Sequence, residues 1–105
     1  MATNISKQYL TIQQQYPNFI NAVETLGKTV KQAGPLDDKT AQLIQLAAAA
    51  SIRSEGAVHS HTKRALNAGA QTEEIYHSLI LLTSTIGFPN VMAALSWASD
   101  IINND

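Results

Sequence analysis

Apolar positions in this chain recur every three or four residues, the period of a helix packed on one side, and no alternating run signals a strand. The clearest stripe is Phe19, Ile20, Val23, Leu26 and Val30 on an otherwise polar segment. Before it, Met1 to Gln15 reads as a first helix carrying Ile5, Leu10 and Ile12. Tyr16-Pro17-Asn18 separates the two, because proline disfavours helix in the residue before it and starts helices well. Ala33-Gly34-Pro35 ends the second helix, so the N-terminal pair is expected over about 4–33. Asp37 or Asp38 can cap a third helix through its side-chain oxygen. From Ala41 to Ile52 this helix is apolar on several faces and carries four successive alanines at 47–50, as a central helix closely approached by its neighbours would.

A fourth helix is expected from Glu55 to Ala68, with Gly69 as its left-handed terminator. Thr72 is the expected cap of a fifth, where Glu73 and Glu74 suit the positive end of the helix dipole. Its stripe is Ile75, Leu79, Leu82 and Ile86, while Ile80 and Leu81 lie elsewhere, which predicts burial on more than one face. Gly87-Phe88-Pro89 breaks the chain, and Pro89 opens a last helix through Ala93, Ala94, Leu95, Trp97 and Ile101. The pattern predicts an all-α protein, a single compact domain of about six helices over 1–105.

Composition narrows the chemistry. Charged residues make up 14% of the chain, against about 25% in an ordinary soluble domain. Burial of surface between subunits is the natural use of so little charge, with a monomer rich in Ser, Thr, Asn and Gln as the alternative. Net charge is −1 and no dense Lys/Arg stripe occurs, so nucleic acid is not an expected partner. The absence of cysteine excludes disulfides, thiolate metal sites and thiol nucleophiles within the chain. Met1 to Tyr9 lacks an apolar core of signal-peptide length, and the most apolar window, Ile75 to Ile86, is too short to span a bilayer and holds His77. The expected location is the cytoplasm, without a membrane partner.

A set of local motifs now lines up. Leu36-Asp37-Asp38-Lys39 leads the alanine-rich helix. His61 precedes Arg64-Ala65-Leu66-Asn67-Ala68-Gly69-Ala70, followed by Thr72-Glu73-Glu74-Ile75 and Gly87-Phe88-Pro89. In this order they resemble the carboxymuconolactone decarboxylase family, which includes the alkylhydroperoxidase D-like proteins, over about Pro35 to Ala98. The resemblance implies an all-helical domain that assembles as a homo-oligomer, a trimer or a hexamer. In the peroxidase branch the active centre is a Cys-x-x-Cys, a histidine four residues after the second cysteine, and an upstream glutamate. Carried over by spacing, His61 keeps the histidine, the cysteine positions fall on Ser54 and Ala57, and the glutamate falls on Gln42. A further glutamate of the family falls on His77. A serine cannot supply a thiolate or cycle through a disulfide, and Gln42 cannot take up a proton as glutamate does, so thiol peroxidase chemistry is not expected. The decarboxylase branch commonly has a glutamate four residues before the histidine, where this chain has Ala57.

Helix geometry places Ser54, Ala57, His61, Ala65 and Ala68 within one arc, with His61 on the apolar side. Ser54 and His61 are two turns apart, about 10 Å along the axis, so they can line one cavity but cannot bond directly. Ser54 has no base within one turn on its face, which argues against a nucleophile. Ser54, Ala57 and His61 are therefore candidate lining residues of a small-molecule pocket, the resemblance adds Gln42 to them, and His61 is the candidate acid/base. The alternative for His61 is an inert, hydrogen-bonded core or interface histidine. His59 lies about 160° around the helix from His61, so the two do not form a same-face metal pair. No metal or cofactor is expected; Glu55 and His59, four residues apart, are the weak metal alternative to a solvated surface pair. Arg53 and His77 read as surface residues, and Tyr76, Met92 and Trp97 as packing residues.

Beside a metal-dependent activity through the histidines, two functions remain open. One is a non-redox binding protein holding a small organic molecule near His61. The other is a lyase or isomerase using His61 as general acid/base on a small carboxylate or lactone.

Overall fold

A computed structural model describes residues 6–104, and Asn4 and Ile5, expected in the first helix, lie outside the described residues. Among the described residues all regular structure is helical: α1 (Lys7–Gln15), α2 (Pro17–Lys31), α3 (Asp38–Ser51), α4 (Glu55–Asn67), α5 (Thr72–Ile80), α6 (Thr83–Ile86) and α7 (Phe88–Ile102). The chain divides into two compact units, one ending at Pro35 and the other beginning at Leu36.

In the first unit α1 and α2 pack together. Ser6 caps α1 by accepting from the Tyr9 N–H at 3.0 Å, and Pro17 lies in the first turn of α2, where its missing N–H costs no helix bond. The Tyr9 hydroxyl donates to the Glu24 carboxylate. Ile20 is the buried member of the α2 stripe, while Phe19, Val23, Leu26 and Val30 remain 46–61% exposed.

In the second unit α3 is central, packed against α4, α5 and α7. Of the four successive alanines, Ala49 and Ala50 are buried in the core with Leu46, while Ala48 is exposed. Asp37, rather than Asp38, caps α3, its Oδ1 accepting the Thr40 N–H at 2.8 Å. The core gathers Leu46, Val58, Ala65, Ile75, Leu79, Ala94 and Ala98 from α3, α4, α5 and α7.

Two junctions end in the same hydrogen-bond pattern. After α4, the Gly69 N–H bonds to Leu66 O and the Ala70 N–H to Ala65 O, with Gly69 at φ +98°. After α3, the Arg53 N–H bonds to Ala50 O and the Ser54 N–H to Ala49 O, with Arg53 at φ +58°. Both are Schellman endings, which satisfy the last carbonyls of a helix through a left-handed residue. Glycine takes that conformation without strain, and an arginine does not.

Three expectations are corrected. The cap of α5 is Gln71, not Thr72: the Gln71 N–H is taken by Glu74 Oε1 at 2.8 Å, which fixes Glu74 at the third helical position. The expected fifth helix does not run unbroken to Ile86 but stops at Ile80. Beyond it the Leu82 N–H bonds back only to Leu79 O, and the Thr83 hydroxyl takes Ile80 O at 2.7 Å, competing for a carbonyl the helix ladder would use. Met92, expected to pack, is 48% exposed, because it lies over a third of a turn from the centre of the buried side of α7 marked by Val91, Ala94 and Ala98.

Candidate functional site

The buried face of α4 is centred on Val58, Thr62 and Ala65, each 0% exposed. His61 therefore sits at the edge of that face, about 60° from Val58 around the helix. There it meets α3: His61 Nδ1 lies 2.9 Å from Gln42 Oε1, and the Gln42 side chain is buried at 5% exposure. An amide oxygen only accepts, so the Nδ1–H donates to it, and the lone pair of the neutral ring lies on Nε2. A residue that fixes the tautomer and the tilt of an imidazole is a positioning device for whatever Nε2 addresses.

Ser54 has a different place in this geometry. Its side chain caps α4, accepting the Ala57 N–H at 3.3 Å, and so is part of the helix start. Ala57 is half-buried against the core. Of the four candidate lining residues, the structure thus joins Gln42 to His61 and Ser54 to Ala57. Arg53, expected at the surface, is exposed, and its guanidinium donates to Asn90 Oδ1, while Asn90 Nδ2 donates to Ile86 O at 2.7 Å. This bridge ties the α3–α4 turn to the first turn of α7. His77 is exposed in the last turn of α5. The Tyr76 hydroxyl shares a 3.0 Å hydrogen bond with Ser99 Oγ, and Trp97 packs partly buried against the core, as packing residues would.

On the other rim of α4, His59 Nε2 lies 3.0 Å from Asp100 Oδ2 and 4.0 Å from Glu55 Oε2. The Glu55–His59 spacing was legible as a helical i, i+4 pair; Asp100 was not, because it comes from α7, which only tertiary packing brings to this side of α4.

Comparison with known proteins fits this architecture. The model of the carboxymuconolactone decarboxylase family matches residues 17–100. The chain belongs to the carboxymuconolactone decarboxylase family. An uncharacterised protein of Methanocaldococcus jannaschii is 32% identical over 84 residues, which cover 80% of this chain and 78% of that protein. An uncharacterised protein of Haemophilus influenzae is 32% identical over 63 residues, 60% of this chain and 56% of that protein. In fold, the chain is similar to the crystal structure of a carboxymuconolactone decarboxylase family protein from Legionella pneumophila, with a TM-score of 0.79 at 23% identity over 91% of this chain and 86% of that one. Within this family the chain carries no cysteine at all. No helix among the described residues is long and apolar enough to cross a membrane.

Proposed function

We propose that this chain is a non-redox member of its family that binds a small organic molecule beside His61, and that it works as a cytoplasmic homo-oligomer rather than as a thiol peroxidase. The observation that carries the reading is the 2.9 Å bond from His61 Nδ1 to the buried Gln42 Oε1. A buried amide on one helix holding an imidazole on the next is a costly arrangement for a histidine with no task, since the amide gives up water to make the bond. Held this way, Nε2 is suited to accept a hydrogen bond from a hydroxyl or carboxylic acid, and the protonated ring is suited to a carboxylate. Ala57 and Ser54, in the slots that carry cysteines in the peroxidase branch, supply small volume and no thiolate, which removes the nucleophile that peroxide reduction requires.

A second reading rests on the same bond. An imidazole whose Nδ1–H is oriented by an acceptor is the arrangement of a general base, so His61 would move a proton on a small carboxylate or lactone. Gln42 cannot ionise, so it orients the ring without the charge stabilisation a carboxylate would give.

A thermal-shift screen of small carboxylates and lactones separates the two. A ligand at a hundred times its Kd is worth about 2.7 kcal/mol, which raises the midpoint of a chain this size by roughly 10 °C. We expect at least one such shift, lost in His61→Ala and weakened in Gln42→Leu. Turnover of the same compound, lost in His61→Ala, would select the enzyme reading. Hydroperoxide reduction with a dithiol above the buffer blank would overturn both.

A further inference from the structure

We propose that Glu55, His59 and Asp100 form a site for a divalent transition-metal cation that clips α4 to α7. Each offers one donor atom, an imidazole nitrogen and two carboxylate oxygens, and the three atoms lie within 4.8 Å of one another. This is a donor set that Zn²⁺, Co²⁺ and Mn²⁺ accept. With metal–ligand distances of about 2.0–2.2 Å, two ligands of one tetrahedral ion stand roughly 3.4 Å apart. His59 Nε2 and Asp100 Oδ2, at 3.0 Å, already approach that spacing. Glu55 Oε2, at 4.0 Å from the imidazole and within 4.8 Å of the Asp100 donor, closes to that spacing with a movement of about 1–1.5 Å, and its side chain is 59% exposed and so has room to make it.

The backbone beneath the donors is fixed. Val58, next to His59, and Ala98, two residues before Asp100, are each 0% exposed. Two packed helices therefore fix the backbone under all three side chains, the imidazole is the most enclosed of them, and the exposed carboxylates, Glu55 at 59% and Asp100 at 57%, adjust around it. His59 points away from the His61–Gln42 pair, about 160° around α4, so this site is separate from the one proposed above and does not depend on it. The half-exposed setting leaves at least one coordination position open to water or to an anionic ligand.

The test uses the full chain, stripped with a chelator and titrated with Zn²⁺ alone by calorimetry, and with Co²⁺ followed by its visible d–d absorption. The expected result is one ion per chain and a rise in thermal midpoint on Zn²⁺ addition. His59→Ala and Asp100→Asn should each weaken binding by at least about tenfold and abolish the Co²⁺ spectrum, while His77→Ala leaves both unchanged. Asp100→Asn keeps the shape of the side chain, so it preserves the test if His59→Ala folds poorly. No saturable binding, affinity untouched in both ligand variants, or loss only in His77→Ala would each overturn the site.

Discussion

Arg53 and Gly69 occupy equivalent positions in two helix endings with the same hydrogen bonds, yet their chemistry is opposite. A side chain held in the left-handed region costs about 1–2 kcal/mol, a cost Gly69 avoids and Arg53 carries. Arg53 has one return, its contact with Asn90, and that contact is exposed, where a hydrogen bond contributes little. The expected outcome is that Gly69→Ala lowers stability by about 1 kcal/mol, since space around the Cβ is open and only backbone strain acts. Arg53→Gly should raise stability by up to about 1 kcal/mol, the relief of strain exceeding the added freedom of glycine in the unfolded chain. Urea midpoints at unchanged m-values measure both. If Arg53→Gly destabilises instead, the bridge through Asn90 to Ile86 O outweighs the strain. The glycine was legible in the sequence as a terminator because its residue type announces the conformation. The arginine was not, because nothing in its type does.

At the scale of elements, the start of α5 is held by charge. The Glu74 carboxylate accepts the Gln71 N–H at 2.8 Å and the Lys39 ammonium at 3.0 Å, which links the first turn of α5 to that of α3. The Gln71 N–H first, and the Lys39 ammonium second, hold the Glu74 carboxyl below its ordinary 4.5. The Thr40 hydroxyl first, and the Thr40 amide second, likewise hold the Asp37 carboxyl below 3.8. Both groups are depressed in the folded state, so the unfolded chain takes up protons first as pH falls. Their stabilisation is present in full above about pH 4.5 and is lost as pH drops through that value towards the folded pKa values. Thermal midpoints measured from pH 7 to pH 3 should fall on the acid side, and Glu74→Gln should flatten that fall. Lys39→Met should flatten it less, because the Gln71 N–H, the larger cause, remains. An equal effect of the two variants would place the charge pair above the cap. Helix types, most of their ends and the His61 face were legible because they follow from local period and punctuation. The break after Ile80 and the cap at Gln71 were missed because side-chain bonds from Thr83 and Glu74 decide them. The partners of His61 and His59 were beyond reach for another reason: Gln42 was placed near the site only by its family slot, and Asp100 not at all, since both contacts depend on how α3 and α7 pack on α4.

Across the whole molecule, large apolar side chains are left in water on both units. In the second unit Ile44, Ile52, Ile80, Leu81, Phe88 and Met92 are 48–76% exposed, and in the first Phe19, Leu26 and Val30 are 50–61% exposed. With 15 charged residues in 105, the sum of 7 basic and 8 acidic, the surface has little to keep copies apart. Withdrawing one such half-exposed side chain from water contributes about 1 kcal/mol. A micromolar complex needs about 8 kcal/mol in net terms, after the cost of association, so one or two of these residues cannot hold a dimer and an interface must collect most of the set. The expected outcome is a trimer or hexamer by light scattering at micromolar concentration. Leu81→Asp and Phe88→Asp, which place a charge at exposed positions the isolated fold does not need, should shift the mass towards the monomer while the helical circular dichroism is kept. Leu26→Asp makes the same test for the α2 stripe. A monomer mass for the unaltered chain would mean that this apolar surface serves something other than self-association. Dissociation by the α2 variant alone would overturn an interface that collects most of the set, since six of its nine side chains lie in the second unit.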